Sequence, residues 1–331
     1  MLEAAGAANP PARRAIVLAC VFVVAVASPL RAELLYFTEF ENPPFLVGPD
    51  RWVGTDGWIG NSTGLGVHGI DDDQFIDADQ TAFLGFTQPD TPLVLVAKPL
   101  NHDPVAEGTA SILIDTLLGI EDSTNGFRDS FWLTVYNISG RLLGALRFSN
   151  ELATYGIWRY DGVNEVDTGL AFILGEPHLL LVEIDFQNNR WKADLDGIPL
   201  FSNALFTATQ HARDLGSLSY EWQLTSNLLT EHGDNWMLIA DSSVWAIPPG
   251  EEPFIIDSVG PGSGGQPQIE FTGEPGFNYK VQYSGNLINW LNDLPGSSFT
   301  GIAAPKQIQF SDPTAGLPER RWYRVVRSVT P

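Results

Sequence analysis

Residues 178–196 read HLLLVEIDFQNNRWKADLD, and this stretch determines the fold class of the chain. Apolar and polar residues alternate through both halves of it, which is the pattern of a strand that buries one face. The connection Gln187-Asn188-Asn189 contains two asparagines, and asparagine tolerates the left-handed conformation of tight hairpin turns. The stretch therefore predicts an antiparallel hairpin that runs from Leu179–Phe186 into Arg190–Leu195.

Similar runs recur along most of the chain. Short segments rich in Val, Ile, Leu, Phe and Trp lie between clusters of Gly, Pro, Asn and Asp, and only Asn203–Leu215 suits a helical turn or two. Eleven predicted strands before residue 248 favour one two-sheet sandwich of the all-β class. These strands are Leu34–Glu41, Thr81–Phe86, Leu93–Lys98, Thr109–Leu117, Ser130–Asn137, Arg141–Ser149, Tyr155–Tyr160, His178–Phe186, Arg190–Asp196, Ser217–Leu224 and Trp236–Ile247.

A proline-rich stretch, PPGEEP at residues 248–253, interrupts the strand pattern. Prolines and charges at this density are typical of a linker, which would separate a first domain over residues 33–247 from a second over residues 254–331. Six predicted strands in the second domain suit a small immunoglobulin-like sandwich. They are Phe254–Val259, Gln268–Thr272, Tyr279–Ser284, Trp290–Leu291, Gln307–Phe310 and Trp322–Ser328.

The first 32 residues have the pattern of a cleavable secretory signal peptide. A polar segment ends in Arg13 and Arg14, and an unbroken run of 13 apolar residues follows from Ala15 to Ala27. A membrane-spanning helix needs about 20 such residues, so the run favours cleavage over anchoring. Cleavage after Ala27 and cleavage after Ala32 both satisfy the small-residue rule, and we favour Ala32 because the strand pattern begins directly after it. We expect an exported protein that does not insert into the membrane after cleavage.

Cysteine use and charge narrow the class of partner. Cleavage removes Cys20, the only cysteine, and export without disulfides is usual for a bacterial extracellular or cell-surface protein. Residues 33–248 hold 31 acidic and 9 basic side chains, whereas residues 254–331 hold 6 of each. The acidic field repels nucleic acid and anionic lipid, and no basic cluster suited to phosphates is present. The acidity is explained either by solubility or by divalent cation binding.

Three segments of the first domain carry a resemblance to a known superfamily. They are the aromatic-acidic stretch Phe37–Glu41, the hairpin stretch at 178–197, and the closing stretch Gly233–Asp241. With these segments, most of residues 33–248 resembles the concanavalin A-like and laminin-G-like jelly-roll superfamily, which lectins and glucanases share. The resemblance implies a jelly-roll sandwich with carbohydrate as the favoured ligand class.

The second domain has a resemblance of its own. The residues Tyr279–Ser284, Trp290 and Arg321–Val326 are similar to the fibronectin type III-like modules that end many large secreted bacterial proteins. In such a module Trp290 fills the centre of the core. The resemblance implies a spacer or attachment role and no chemistry.

One strand invites comparison with an enzyme. Glu183-Ile-Asp185-Phe-Gln187 is similar to the Glu-x-Asp-x-Glu strand of laminarinase-type glycoside hydrolases. Retaining glycosidases need two carboxyl groups about 5–5.5 Å apart, one of them a proton donor. Gln187 stands at the third position and cannot donate that proton. We therefore favour a structural strand whose buried face is Val182, Ile184 and Phe186.

Of the other catalytic and metal sites considered from the sequence, a calcium site has the most support. The five histidines are scattered through loop-like sequence, which argues against a Ser-His-Asp hydrolase. No two of them have metal-ligand spacing, which argues against a zinc enzyme. Calcium prefers carboxylate and backbone oxygens. The candidate ligands are Glu39, Glu41 and Asp241, because the jelly-roll resemblance implies a structural calcium where the first and last strands lie side by side. The alternative is that these carboxylates are solvated turn residues that bind no ion. A second acidic cluster is Asp71, Asp72, Asp73, Asp77 and Asp79.

Sugar binding needs exposed aromatic rings with polar groups beside them. In the strand at 131–136, alternation places Trp132 and Tyr136 on one face and the apolar Phe131, Leu133 and Val135 on the other. If the apolar set forms the core, the first set faces outward. The predicted ligand-binding residues are Trp132, Tyr136, Arg147 and Trp158, with Arg141 and Tyr160 as further candidates for the groove.

These observations favour a secreted, non-catalytic binding protein that recognises carbohydrate or a component of the cell surface or extracellular matrix. A polysaccharide-active hydrolase or lyase on the same scaffold is the first alternative, and a purely structural extracellular module is the second. Two carboxylates facing each other across a sheet would favour the enzyme. An aromatic strip without such a pair would favour binding, and the absence of both would favour the structural module.

Overall fold

The computed structural model describes residues 21–23, 32–72, 80–109, 111–150, 155–248, 256–261, 266–273, 277–284, 294–300, 302, 304–314 and 322–329. The chain divides into two compact units. The larger unit runs from Val24 to Pro253, and the smaller unit combines Met1–Val23 with Phe254–Pro331.

Strands dominate both units, as the all-β prediction states. They are β1 (Val21–Val23), β2 (Glu33–Thr38), β3 (Gly48–Pro49), β4 (Ile59–Gly60), β5 (His68–Asp71), β6 (Thr81–Gly85), β7 (Leu93–His102), β8 (Ser111–Glu121), β9 (Ser130–Tyr136), β10 (Leu142–Phe148), β11 (Gly156–Tyr160), β12 (Glu165–Ala171), β13 (His178–Asp185), β14 (Arg190–Leu195), β15 (Ile198–Leu205), β16 (Leu215–Gln223), β17 (Trp236–Ile247), β18 (Ile256–Pro261), β19 (Pro267–Gly273), β20 (Phe277–Ser284), β21 (Ser298–Phe299), β22 (Lys306–Ser311) and β23 (Trp322–Val329). Within the described ranges the only helical element is a 3-10 turn at Leu229–Glu231, and no helix there is long and apolar enough to cross a membrane.

Two antiparallel sheets form the larger unit. The seven-stranded sheet has the order β12-β11-β10-β9-β16-β7-β4. The nine-stranded sheet has the order β15-β14-β13-β8-β17-β6-β5-β3, and β2 also pairs with β17. Each of the eleven strands predicted before residue 248 overlaps a strand of these sheets.

The core of the larger unit lies between its two sheets. Phe131, Leu133 and Val135 enter it from β9, and Val182 and Ile184 enter it from β13 in the other sheet. Burial of each such side chain contributes about 1.5–3 kcal/mol relative to exposure. The alternation along the strands therefore sets which face of each sheet turns inward.

The predicted hairpin is present. β13 and β14 pair in antiparallel register from Leu180 opposite Leu195 to Asp185 opposite Arg190. Asn189 in the connection has a φ of 57°, the left-handed conformation expected of an asparagine there.

The prediction of a helical turn at Asn203–Leu215 is wrong. β15 continues through Asn203 to Leu205 and pairs with β14, because residues such as Leu200 gain burial in the core that an isolated helical turn would not provide. The sequence also gives no prediction of β15 or β12. Both are edge strands. Most side chains of β12 are exposed, and β15 buries only one of its eight residues, so neither shows the apolar alternation that marks a half-buried strand.

The smaller unit contains two further sheets, with the orders β1-β23-β20-β21 and β18-β19-β22. Its core includes Phe271, Tyr279, Phe310 and Tyr323. The predicted strand at Trp290–Leu291, and with it the proposed core position of Trp290, lies outside the described residues. β1 pairs in parallel with β23 and falls within the segment predicted as a signal peptide; both the cleavage and the fibronectin-like assignment stay predictions.

Candidate functional site

The outward face of the seven-stranded sheet carries the side chains that the sequence singled out. Phe131, Leu133 and Val135 are at most 3% exposed and belong to the core. Trp132 and Tyr136 alternate with them on β9 and are half-buried on the opposite face. The alternation in this strand therefore predicts the direction of its side chains correctly.

A row of side chains crosses this face from strand to strand. Trp132 on β9 is paired with Arg147 on β10, and Arg147 is paired with Trp158 on β11. The row continues to Asp167 on β12 at one end and to Glu221 on β16 at the other. The sheet thus brings together three of the four predicted ligand-binding residues, Trp132, Arg147 and Trp158.

Arg147 is the centre of this arrangement. Its guanidinium carbon lies 5.6 Å from the ring centroid of Trp132 and 5.4 Å from that of Trp158, which is the distance of a cation–π contact. Its Nε also lies 2.6 Å from Oε1 of Glu165 in an ion pair. The Arg147 side chain is only 15% exposed, so its charge is enclosed by two indoles and a carboxylate.

A depression of about 320 Å³ opens beside Arg147. This volume is at the lower end of the range for small-ligand sites, roughly 300–1,000 Å³. The indole Nε1 of Trp132 is buried there without a hydrogen-bond partner among the described residues. We call the depression with its lining residues the aromatic face: Trp132, Arg147, Tyr160, Glu165, Gln223, Leu224 and Thr225, with Trp158 beside them.

Tyr160 and Thr225 define two sides of the depression. The ring of Tyr160 meets the ring of Trp132 edge-on, with centroids 6.2 Å apart. The backbone N–H of Thr225 donates to Oδ1 of Asp129 at 2.8 Å, and its hydroxyl donates to the carbonyl oxygen of Arg128 at 2.7 Å. The Thr225 hydroxyl can therefore only accept a hydrogen bond from a ligand.

Tyr136 has a different role from the one expected of it. Its hydroxyl donates a hydrogen bond of 2.9 Å to Oε1 of Glu221, whose side chain is buried. Burial raises the pKa of the Glu221 carboxyl, and the bond from Tyr136 offsets part of this effect. Tyr136 thus satisfies a buried carboxyl group and does not line the depression. Arg141 is exposed at the turn before β10 and also lies apart from it.

Glu165 and Gln223 were not predicted, and both line the depression. Glu165 stands at the start of β12, a strand that the hydrophobic pattern does not indicate. The alternation Glu165-Val166-Asp167 was the available signal, since it places two carboxylates on one face of a strand. Gln223 follows Glu221 by two positions on β16 and so shares its face.

Of the three residues predicted to bind calcium, the structure places Glu39 and Asp241 close together along neighbouring segments of chain. Ser242 on β17 is paired with Thr38, the last residue of β2. Asp241 precedes Ser242 on β17, and Glu39 follows Thr38 just beyond the end of β2. Oε1 of Glu41 accepts a hydrogen bond from the backbone N–H of Gln80 at 3.2 Å. Among the described residues, no group of three His, Cys, Asp or Glu side chains is arranged to hold a metal ion. Of the second acidic cluster, Asp73, Asp77 and Asp79 lie outside the described residues.

The strand with Glu183 and Asp185 has a structural role. Oε2 of Glu183 lies 2.8 Å from Nζ of Lys192 on the neighbouring strand. Asp185 accepts hydrogen bonds from the backbone N–H and the side-chain amide of Asn188, at 2.8 and 2.7 Å, and so closes the hairpin turn. Both carboxylates are used within the hairpin, in agreement with the structural interpretation of this segment.

Comparison with known proteins shows likeness of fold alone. No protein-family model matches the sequence, and no curated protein is a significant match. A sialidase structure aligns with a TM-score of 0.41 and 7% identity over 57% of this chain and 17% of its own. A structure described with endo-acting O-glycanases of the human gut microbiota aligns with a TM-score of 0.42 and 12% identity over 65% of this chain and 100% of its own. The carbohydrate recognition domain of Emp47p aligns with a TM-score of 0.36 and 11% identity over 60% of this chain and 94% of its own. At these TM-scores and identities the likeness indicates no function for this chain.

Proposed function

We propose that the larger unit is a secreted, non-catalytic carbohydrate-binding domain whose ligand lies on the aromatic face. The observation that carries the proposal is the grouping of Trp132, Trp158 and Tyr160 around the Arg147–Glu165 ion pair, beside an open depression. Aromatic rings pack against the apolar face of a pyranose, and the polar groups between them serve its hydroxyls.

The two carboxylates that face each other across this sheet, Glu165 and Glu221, are far apart and so favour binding over glycoside hydrolysis. Glu165 on β12 and Glu221 on β16 are four strand positions apart. At about 4.8 Å per position their backbones are separated by roughly 19 Å. Retaining and inverting glycosidases place their two carboxyl groups about 5–5.5 and 6.5–9.5 Å apart. Glu165 is moreover held as an ion pair by Arg147, whereas a glycosidase proton donor carries a proton.

The proposal predicts that Trp132→Ala weakens glycan binding by at least about tenfold, because a stacking ring at the centre of a small site carries a large share of the affinity. The test is an oligosaccharide array with the chain that begins at Glu33, followed by calorimetric titration of each glycan that binds. Trp236→Ala is the matched control, since Trp236 is a half-buried tryptophan of the nine-stranded sheet and should leave binding unchanged.

Two results would contradict the proposal. Binding that survives Trp132→Ala would remove the aromatic face as the site. An array without any bound glycan would remove carbohydrate as the ligand and favour a purely structural module.

Calcium at Glu39, Glu41 and Asp241 remains a separate proposal. It is supported by the positions of Glu39, directly after β2, and Asp241 on β17, each next in the chain to a member of the Thr38–Ser242 pair. An ion that binds only the folded chain raises the melting temperature, with about 2.7 kcal/mol of stabilisation at a hundredfold excess over its Kd. Melting with calcium and with a chelator measures this, and equal midpoints would eliminate the site.

A further inference from the structure

We infer that the Arg147–Glu165 ion pair makes the aromatic face selective for neutral glycans over glycans that carry carboxylate or sulfate groups. The inference rests on the proposed function and names the ligand class of the same site. Three features of the described residues support it: the neutralised arginine, the surplus of negative charge, and the hydrogen-bonding character of the depression.

Among the described residues that line the depression Arg147 is the only basic one, and its charge is already balanced by Glu165. Its Nε lies 2.6 Å from Oε1 of Glu165, and the two indoles of Trp132 and Trp158 enclose the guanidinium. An anionic sugar would have to compete with Glu165 for this cation. Because an arginine buried between rings cannot turn freely toward a new partner, the ion pair disfavours such a ligand.

The surroundings of the ion pair are acidic. Asp167 is exposed on the same strand as Glu165, two positions further on, and is paired with Trp158. The first domain as a whole holds 31 acidic and 9 basic side chains. Like charges repel at close range and across the surface, so an approaching anionic glycan is disfavoured while a neutral one is not.

The depression is also rich in hydrogen-bond acceptors. Glu165, whose Oε1 faces Arg147, has a second carboxylate oxygen that can accept, and the Thr225 hydroxyl already donates to the carbonyl oxygen of Arg128. Gln223 adds an amide oxygen. Donors are present too, namely the indole N–H of Trp132 and the amide NH2 of Gln223. A sugar hydroxyl both donates and accepts and can use both kinds of group, whereas carboxylate and sulfate groups only accept at neutral pH and leave the acceptors without a donor.

The experiment compares matched ligands. Each neutral hexasaccharide that binds in the array is oxidised at C6 to its uronic acid derivative, and both are titrated calorimetrically into the same protein at two salt concentrations. For the unaltered chain we expect the neutral member of each pair to bind at least about tenfold tighter. Repulsion from distant surface charge weakens at the higher salt, whereas the contribution of the enclosed ion pair changes less.

Two variants separate the ion pair from the general charge. Glu165→Gln keeps the shape of the side chain but removes the carboxylate charge beside Arg147, so we expect the preference for the neutral member to fall below about threefold or to reverse. Asp167→Asn removes the same charge from the same strand without contacting Arg147, and we expect the preference to stay within about twofold of the unaltered chain. Circular dichroism and melting establish that both variants are folded.

The outcomes distinguish this inference from the proposed function. Equal or tighter binding of the oxidised member by the unaltered chain, with dependence on Trp132, would overturn the selectivity and leave the carbohydrate site in place. The same change in both variants would overturn the role of the ion pair. Absence of glycan binding altogether would overturn the proposed function itself.

Discussion

Tyr220 and Thr116 belong to opposite sheets of the larger unit, and their hydroxyl oxygens lie 2.9 Å apart in the middle of the core. The Tyr220 hydroxyl also donates to Oγ of Ser242 at 3.0 Å, and Thr116 donates to the carbonyl oxygen of Asp241 at 2.9 Å. Burial raises the pKa of Tyr220 to about 12, so the phenol stays neutral and available as a donor. A polar link thus joins β16, which carries Glu221 and Gln223 on its outer face, to the nine-stranded sheet.

The variant Tyr220→Phe tests this link. The loss of the hydroxyl leaves buried polar groups of Thr116 and Ser242 with fewer partners, so we expect the free energy of unfolding to fall by about 1–3 kcal/mol. Chemical denaturation followed by tryptophan fluorescence measures it. Tyr155→Phe alters a half-buried tyrosine outside this link and serves as the control. Equal stability of both variants would mean that the hydroxyl contributes nothing.

Asp129 supports one wall of the depression. Its side chain is 0% exposed, and its two oxygens accept hydrogen bonds from the backbone N–H groups of Thr225 and Gly233, at 2.8 and 2.7 Å. Burial raises the pKa of this carboxyl, and the two N–H donors oppose the rise.

We expect Asp129→Asn to destabilise the larger unit by about 1–3 kcal/mol, because the amide NH2 group would face a backbone N–H that needs an acceptor. Glycan affinity should fall as well, since Thr225 would lose its fixed position. The exposed substitution Asp167→Asn should change the unfolding free energy by no more than about 0.5 kcal/mol. A normal melting temperature for Asp129→Asn would contradict the role assigned to the carboxylate.

His178 gives the stability a defined dependence on pH. Burial alone lowers the pKa of its imidazole, but hydrogen bonds to Asp196 and to the Ile173 carbonyl oxygen outweigh this and raise it above its usual value. Nδ1 lies 2.6 Å from Oδ2 of Asp196. When folding raises the pKa of a histidine, the folded state is stabilised at pH values below the pKa of the unfolded chain, about 6.5. This stabilisation is lost as the pH rises through the pKa of the folded state.

We therefore expect the difference in unfolding free energy between the unaltered chain and His178→Gln to be larger at pH 6 than at pH 9. Chemical denaturation at both pH values measures it, because titrations of other groups are common to both proteins and largely cancel. His211→Gln changes an exposed histidine and should show no such difference. A gap that stays constant or widens with pH would contradict the assignment.

The positions of most strands could be predicted because each buries one face, and burial imposes an alternation that can be counted. The hairpin around Asn189 and the inward direction of Phe131 follow from that rule alone. β12 could not be predicted in this way. Its residues from Glu165 to Ala171 are mostly exposed at the edge of a sheet, so backbone pairing with β11 holds the strand without an apolar pattern.

Local sequence determined that this chain is all-β, that Trp132 and Tyr136 face away from the core, and that one domain carries the acidic charge. Only the tertiary structure decided which residues of the outer face lie within hydrogen-bond distance of one another. Arg147 meets Glu165 from two strands away, and Tyr136 turns to Glu221 instead of the depression. The physical reason is that alternation fixes the face on which a side chain lies, whereas strand order and register, which depend on pairings distant in sequence, fix its neighbours.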